Sequence, residues 1–391
     1  MGLDDALSAG NAGSARDRLG KLVELLERSG INPDEIGRVD KINVWQGFLK
    51  DNEGNPQLVD MAGVVLSPEW ASAPEYPVVQ QAQPTVVRPV KQSARVTTSR
   101  TVVVLPDPQI GYLRVHDGEM IPCHDESAMD VALQITRAAQ PDTVINLGDF
   151  LDLPEWSSKF LVLPEFVLTT QPTIDRAHRF LAQQRAVAPD AKMVLIAGNH
   201  DDRLAKAIAK NAMAALRLRR AEAPDEWSVL SLPFLLRLDE LNVQYVSGYP
   251  AGRYKIADAC PEAGLTPLYA IHGEKLDVAK VARTERQSIV QGHIHRQALH
   301  YETYEIDGRS ETVLGASPGC LCRVDGAVPS TKNGLDESGR PILRWENWEQ
   351  GMMVVNVDDA TGRWDIEMIR IHNGHAWWRG KRYSANVAES A

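Results

Sequence analysis

The residues best able to do chemistry lie in five short segments: Asp107-Pro108-Gln109, Gly148-Asp149-Phe150-Leu151-Asp152, Gly198-Asn199-His200-Asp201, His272-Gly273 and Gly292-His293-Ile294-His295. Their carboxylate and amide oxygens and imidazole nitrogens are hard or borderline ligands, suited to divalent cations. A single aspartate after a strand says little, because such residues also cap helices. Asp152 is read that way, as the cap of a following helix. The Gly-Asn-His-Asp and Gly-His-Ile-His segments say more, since glycine lets the backbone turn tightly and bring neighbouring polar side chains to one point. His178 and His300 stand outside these segments and are read as packed or surface histidines.

Each segment follows a short apolar run, at 101–106, 143–147, 193–197, 268–271 and 288–291. Strands alternating with helical stretches imply an α/β domain with a mostly parallel, doubly covered sheet, whose ligands bind at the carboxyl ends of the strands. Beyond His295 the pattern changes to hairpins, with turns at Asp307-Gly308 and 358–362. Upstream, Leu19, Leu22, Val23, Leu25 and Leu26 recur at helical spacing over 14–29 and Gly30 stops the run. Residues 41–49 and 58–66 read as strands joined by a turn on Asn52 and Gly54. The expected organisation is therefore an accessory helix-plus-hairpin module over 1–70, a linker rich in Pro, Gln, Ser and Val over 71–99, a main domain over 100–375 and a basic-aromatic tail over 376–391. The tail places Trp377, Trp378 and Tyr383 among Arg379, Lys381 and Arg382, a mixture that can stack bases. Adjacent tryptophans more often pack against the core, and that is the expectation.

The 391 residues are 43% hydrophobic and 24% charged, an ordinary globular composition. No run approaches the length of a membrane span, and the first ten residues lack the apolar core of a secretory signal. Met1-Gly2 invites acylation, but Ala6 stands where Ser or Thr is required. A cytoplasmic location is expected, the host cytoplasm if the chain is phage-encoded. A net charge of −10 argues against non-specific coating of nucleic acid, though not against a local basic groove. Of four cysteines only Cys320 and Cys322 are neighbours. With no second pair to complete a zinc site, they are read as small buried hydrophobes.

Taken in order, the five segments resemble the motifs of the calcineurin-like metallophosphoesterase superfamily, and the resemblance spans 101–355. It implies a four-layer fold, a β-sandwich flanked by helices, and two divalent ions at the active site. Carried over position by position, Asp107 and His295 bind the first ion, Asn199, His272 and His293 the second, and Asp149 bridges both. His200 corresponds to the catalytic histidine that contacts the scissile phosphate, with Asp201 orienting it. Two cations about 4 Å apart would neutralise charge building on phosphorus during in-line attack. One departure stands out: the family's first motif reads Asp-any-His, and this chain has Gln109 at the third position. If Gln109 is a ligand, its amide oxygen biases the first site toward Mn²⁺ or Mg²⁺ over Zn²⁺ or Fe.

Six basic residues and no acidic one follow the histidine motif, namely Arg203, Lys206, Lys210, Arg217, Arg219 and Arg220. Placed on one helix they could line a groove for a polyanion, with Arg203 and Lys206 the foremost substrate contacts. The Gly319-Cys320-Leu321-Cys322 and Trp348-Glu349-Gln350-Gly351 segments resemble bacteriophage members of the superfamily. A phosphodiesterase or nuclease acting on DNA or RNA is the leading expectation. A phosphomonoesterase acting on phosphoprotein or a small metabolite, and a non-catalytic scaffold of the same fold, are the alternatives. The apolar face of residues 14–29 offers a route to self-association.

Overall fold

The apolar runs form strands because the chain buries them on both faces. Val102 and Val104 point to one side of their strand and Val103 and Leu105 to the other, and none is more than 1% exposed. The computed structural model describes residues 20, 24, 36–50, 54–68, 99–157, 163–166, 168–224, 227–329 and 335–386. The expected helix over 14–29, apart from Gly20 and Glu24, and the expected linker over 71–99, apart from Ser99, lie outside the described residues.

The chain divides into two compact units, Met1–Thr85 and Val86–Ala391. In the first, β1 (Ile36–Lys50) and β2 (Pro56–Pro68) pair as an antiparallel hairpin, longer at both ends than the expected strands.

The second unit is α/β with mixed sheets. Its strands in chain order are β3 (Ser99–Leu105), β4 (Tyr112–Arg114), β5 (Met120–Pro122), β6 (Thr143–Asn146), β7 (Lys192–Ile196), β8 (Val243–Val246), β9 (Arg253–Ala257), β10 (Leu268–Ile271) and β11 (Ser288–Gln291). They continue with β12 (Gln297–Ile306), β13 (Arg309–Pro318), β14 (Gln350–Asp358), β15 (Trp364–His372), β16 (His375–Trp378) and β17 (Lys381–Ser384). An eight-stranded sheet runs β17-β16-β15-β14-β3-β6-β7-β8, and a five-stranded sheet runs β12-β13-β11-β10-β9. Neighbours from β3 to β8 are parallel, whereas β14 to β17 form an antiparallel meander against β3.

The single mostly parallel sheet inferred from strand alternation is therefore two sheets, with β3, β6 and β7 in one and β10 and β11 in the other. An apolar layer joins them: Val102, Val104, Ile145, Leu147, Val194 and Ile196 meet Leu268, Ala270, Val290, Leu314 and Ala316. On the other face of the large sheet lie α1 (Glu126–Ala139) and α2 (Thr170–Val187). Asp125 caps α1 by accepting from the Ser127 and Ala128 N–H groups. Later come α3 (Arg203–Asn211), α4 (Leu232–Leu235) and α5 (Val278–Glu285), the last against β11, β12 and β13.

The turn at Asp307-Gly308 joins β12 to β13 with both residues at positive φ, 52° and 76°, as a two-residue hairpin turn requires. The expected tail from residue 376 is instead largely the β16–β17 edge of the large sheet, with Trp378 and Tyr383 buried and Trp377 exposed. Among the described residues no helix is long and apolar enough to cross a membrane.

Phe150, directly after Asp149, stacks on Phe180 of α2 at 6.0 Å between ring centres, and both rings are fully buried. Phe180→Ala is expected to cost about 3–5 kcal/mol of stability in urea denaturation, and to loosen the loop that carries Asp149.

Candidate metal centre

The five chemical segments converge where β3, β6, β7, β10 and β11 end. Five of their residues turn off the strand with non-glycine φ in the left-handed region: Asp107 at 37°, Gln109 at 42°, Asp149 at 42°, His293 at 69° and His295 at 53°. Such backbone is costly and persists only where its surroundings impose it. Close approach does so here. A Cβ on Gly198 would stand 2.2 Å from both the backbone nitrogen and Oδ1 of Asp149, and one on Gly292 would stand 2.5 Å from Asp107 Oδ2.

The donors form two groups that share a carboxylate. Asp149, His272 and His293 offer ligand atoms all within 4.8 Å of one another, and so do Asp107, Asp149 and His295. Asn199 joins the first group, its Oδ1 lying 3.1 Å from His272 Nε2. Gln109 joins the second, its Nε2 lying 3.3 Å from His295 Nε2. The backbone fixes the ring of His272: its Nδ1 faces the Leu147 carbonyl at 2.9 Å, which leaves Nε2 toward Asp149 Oδ1 at 3.3 Å.

Two buried oxygens mark where a cation fits. Asp107 Oδ1 accepts from the His293 backbone N–H at 2.9 Å, but Asp107 Oδ2 and Gln109 Oε1 have no hydrogen-bond partner among the described residues. Buried carboxylate and amide oxygens left bare are costly, and a bound cation would satisfy both. The donor set, oxygen-rich with imidazoles, suits a divalent ion.

Charge in the cluster is tightly balanced. Burial pushes the Asp149 carboxyl up, but His200 and His272 outweigh it and hold the group well below the ordinary carboxylate range. Burial works against a proton on His272, yet the adjacent Asp149 carboxylate raises that imidazole to about 9. Burial, then the His272 charge, pushes His293 the other way.

His200 is placed by a different carboxylate from the one expected. Asp152 Oδ1 lies 2.7 Å from His200 Nδ1, out of line for a full hydrogen bond. Asp201 is turned away to the backbone, accepting from Phe150 and Leu151 N–H at 3.1 Å each and from Gly198 N–H at 2.8 Å. It staples the loops after β6 and β7 together. Burial and nearby Asp149 lift its carboxyl to about 6. Asp152 therefore caps no helix, and Asp201 does not orient His200. Arg203 Nη2 stands 2.8 Å from His200 Nε2, and Nη1 donates to the Asp152 carbonyl.

The basic run does not occupy one helix. α3 ends at Asn211, because the buried stripe Leu204 and Ile208 meets only Ala212 and Ala215 beyond it and Arg217 turns to φ 61°. Lys206 and Lys210 are exposed on α3, while Arg217, Arg219 and Arg220 are exposed on the loop after it. Lys206 pairs with Asp202 at 3.3 Å and sits 5.6 Å from the Tyr249 ring, which lies 5.7 Å from that of His272.

The sequence reading missed Tyr249 and Trp348, whose rings border His272 and His295, the latter at 4.2 Å. Tyr249 has no local signal, whereas Trp348 opens the Trp348-Glu349-Gln350-Gly351 segment that leads into β14. His178 is packed, its Nδ1 on the Leu236 carbonyl at 2.9 Å, and all four cysteines are free and buried.

Three outcomes follow for metal content, measured by plasma mass spectrometry and calorimetric titration. Asp149→Ala is expected to abolish divalent-ion binding at both groups, and His293→Ala at one. Gly198→Ala should displace Asp149, lowering stability by about 1–3 kcal/mol as well as metal content. A cation must displace the proton that His272 holds up to about 9, so affinity should rise with pH through neutrality and level off near that value.

No protein-family model matches the chain. It is 26% identical over 303 residues to the Gene 54 protein of Mycobacterium phage D29, a stretch that covers 71% of this chain and 99% of that protein.

Proposed function

We propose that this protein is a dinuclear-metal phosphoesterase of the calcineurin-like superfamily that hydrolyses phosphodiester bonds, with nucleic acid as its substrate class. One observation carries the reading: two donor groups share Asp149, and a buried histidine, His200, is held beside that same carboxylate. Its Nε2 lies 3.7 Å from Asp149 Oδ2. The two mixed sheets with helices outside them are compatible with that superfamily's sandwich, and the similarity to a phage protein agrees with a phage-type member.

When bound, two divalent ions, Mn²⁺ foremost, supply charge neutralisation and Lewis acidity at phosphorus. The remaining work falls to side chains. Asp107, Gln109, Asp149 and His295 would hold one ion, and Asp149, Asn199, His272 and His293 the other. His200 presents Nε2, with Asp152 Oδ1 2.7 Å behind Nδ1 on the other side of the ring. Arg203 now occupies Nε2. A phosphate offers its guanidinium a stronger, charge-assisted partner than a neutral ring nitrogen. Substrate would therefore draw Arg203 away and free His200 for the leaving oxygen.

The diester preference rests on charge. In a chain of net −10, the exposed Lys206, Lys210, Arg217, Arg219 and Arg220 make a strip of the sequence after His200 in which no acidic residue lies between them. A polymer with many phosphates gains more from such a strip than a single phosphoryl group does.

The test is hydrolysis by Mn²⁺-loaded protein of bis-p-nitrophenyl phosphate, p-nitrophenyl phosphate and labelled single- and double-stranded DNA. Diester and DNA cleavage is expected; cleavage of the monoester alone would overturn the nuclease reading, and silence on all four with no bound metal would leave a scaffold. His200→Ala should lower kcat roughly 100- to 10,000-fold with metal content retained. Asp152→Asn should follow it in part, and Arg203→Ala should raise KM. Reversing charge at Lys206 and Lys210 should weaken DNA cleavage while sparing the small diester.

A further inference from the structure

Cys320 and Cys322 have no second cysteine pair, but the fold brings them a histidine from another loop. His295 uses its ring in two directions. Nε2 faces Asp107 Oδ1 and Gln109 Nε2, each at 3.3 Å, while Nδ1 faces Cys322 Sγ at 3.9 Å. Ligand atoms of His295, Cys320 and Cys322 all lie within 4.8 Å of one another, and the three residues are buried. A tetrahedral ion with sulfur at about 2.3 Å and nitrogen at about 2.0–2.1 Å sets its donors roughly 3.6–3.8 Å apart. The His295–Cys322 pair at 3.9 Å is close to that, and the other pairs lie within 4.8 Å.

The donors are also braced. Cys320 N–H donates to the Glu349 carbonyl at 3.0 Å, and Glu349 N–H donates to the His295 carbonyl at 2.7 Å. Gln350 Nε2 donates to the Cys322 carbonyl at 2.9 Å. The start of β14 thus clamps the cysteine loop and the histidine loop to each other. The thiols themselves have weak partners: Cys320 Sγ lies 3.6 Å from the Glu349 carbonyl and 4.0 Å from that of Cys322, and Cys322 Sγ has the His295 nitrogen and the Cys320 thiol.

We propose that His295, Cys320 and Cys322 form a binding site for a thiophilic cation that competes with the Asp107–Asp149 group for His295. The two sides of the ring differ in chemistry. Oxygen donors on the Nε2 side favour hard ions, and the two buried thiols on the Nδ1 side, which release their protons when an ion binds, favour soft ones. A neutral imidazole has one lone pair, so serving both ions would require its last proton to leave as well, and one side prevails. A soft ion therefore strips His295 from the hard site and leaves Asp149, His272 and His293 in place. The inference rests on donor geometry and stands whether or not the protein cleaves phosphate esters.

Cd²⁺ is the probe, added to metal-free, full-length protein under reducing conditions. A thiolate-to-cadmium ultraviolet band saturating at one equivalent is expected, and X-ray absorption of the wild-type complex should show two sulfur neighbours. Cys320→Ser or Cys322→Ser should weaken the band-forming affinity more than the 10- to 100-fold typical of an outer partner, while Cys123→Ser and Cys260→Ser leave it unchanged. In Mn²⁺-loaded protein, Cd²⁺ should release one bound Mn²⁺, followed by electron paramagnetic resonance, and should not do so in Cys322→Ser. A wild-type absorption spectrum without sulfur neighbours would overturn the proposal, as would a band that survives both serine variants. Should the variants fail to fold, the wild-type spectrum and the Mn²⁺ release decide.

Discussion

Two carboxylates buried almost completely, Asp107 and Asp149, set the constraint on which the rest of this structure depends. An ionised carboxylate out of water is tolerated only with compensating charge or donors. Asp149 has part of that compensation from the His200 backbone N–H at 2.8 Å and from the neighbouring imidazoles. Asp107 has less: one oxygen is held by the His293 backbone and the other is bare. The imidazoles balance the charge on Asp149, whereas Asp107 Oδ2 and Gln109 Oε1 stay bare, and a bound cation would satisfy both.

Holding those groups together requires backbone that most sequences avoid. Left-handed φ at five non-glycine residues on three loops costs on the order of 1–3 kcal/mol each. The parallel strands offset this because their side chains are buried on both faces, one set against helices and the other against the second sheet. Asp201 adds a local fastening by accepting from backbone groups of two loops at once. Rigid strand ends and a buried staple are what allow donors from distant parts of the chain to stay within a few ångströms.

The two halves of the centre differ in what stands behind them. His272 is backed by a backbone carbonyl, a neutral and fixed partner. His295 is backed by a thiol and flanked by Trp348 and Gln109. The first arrangement fixes one ring orientation and leaves Nε2 toward Asp149, while the second points one nitrogen at Asp107 and the other at Cys322. His200 lies between these patterns, with a carboxylate on one nitrogen and a guanidinium on the other.

Sequence alone determined the strands at 143–147, 268–271 and 288–291 to within a residue, the Asp307-Gly308 turn, and the five polar segments that the fold brings together. These are local properties: apolar runs buried on both faces, glycine where the chain turns, and polar residues directly after. Only the tertiary structure decided which sheet each strand joins, since the apolar layer between the sheets draws on residues as far apart as Val102 and Leu314. The same holds for partners. Asp152 and Asp201 are both aspartates near a histidine motif, and nothing local says that the first faces His200 while the second faces backbone. The basic run reads as one helix until the missing apolar stripe beyond Ile208 ends it. Cys320 and Cys322 look like half of a site until β14 clamps their loop against that of His295. Contacts of this kind depend on how separate segments pack, and no spacing within one segment encodes them.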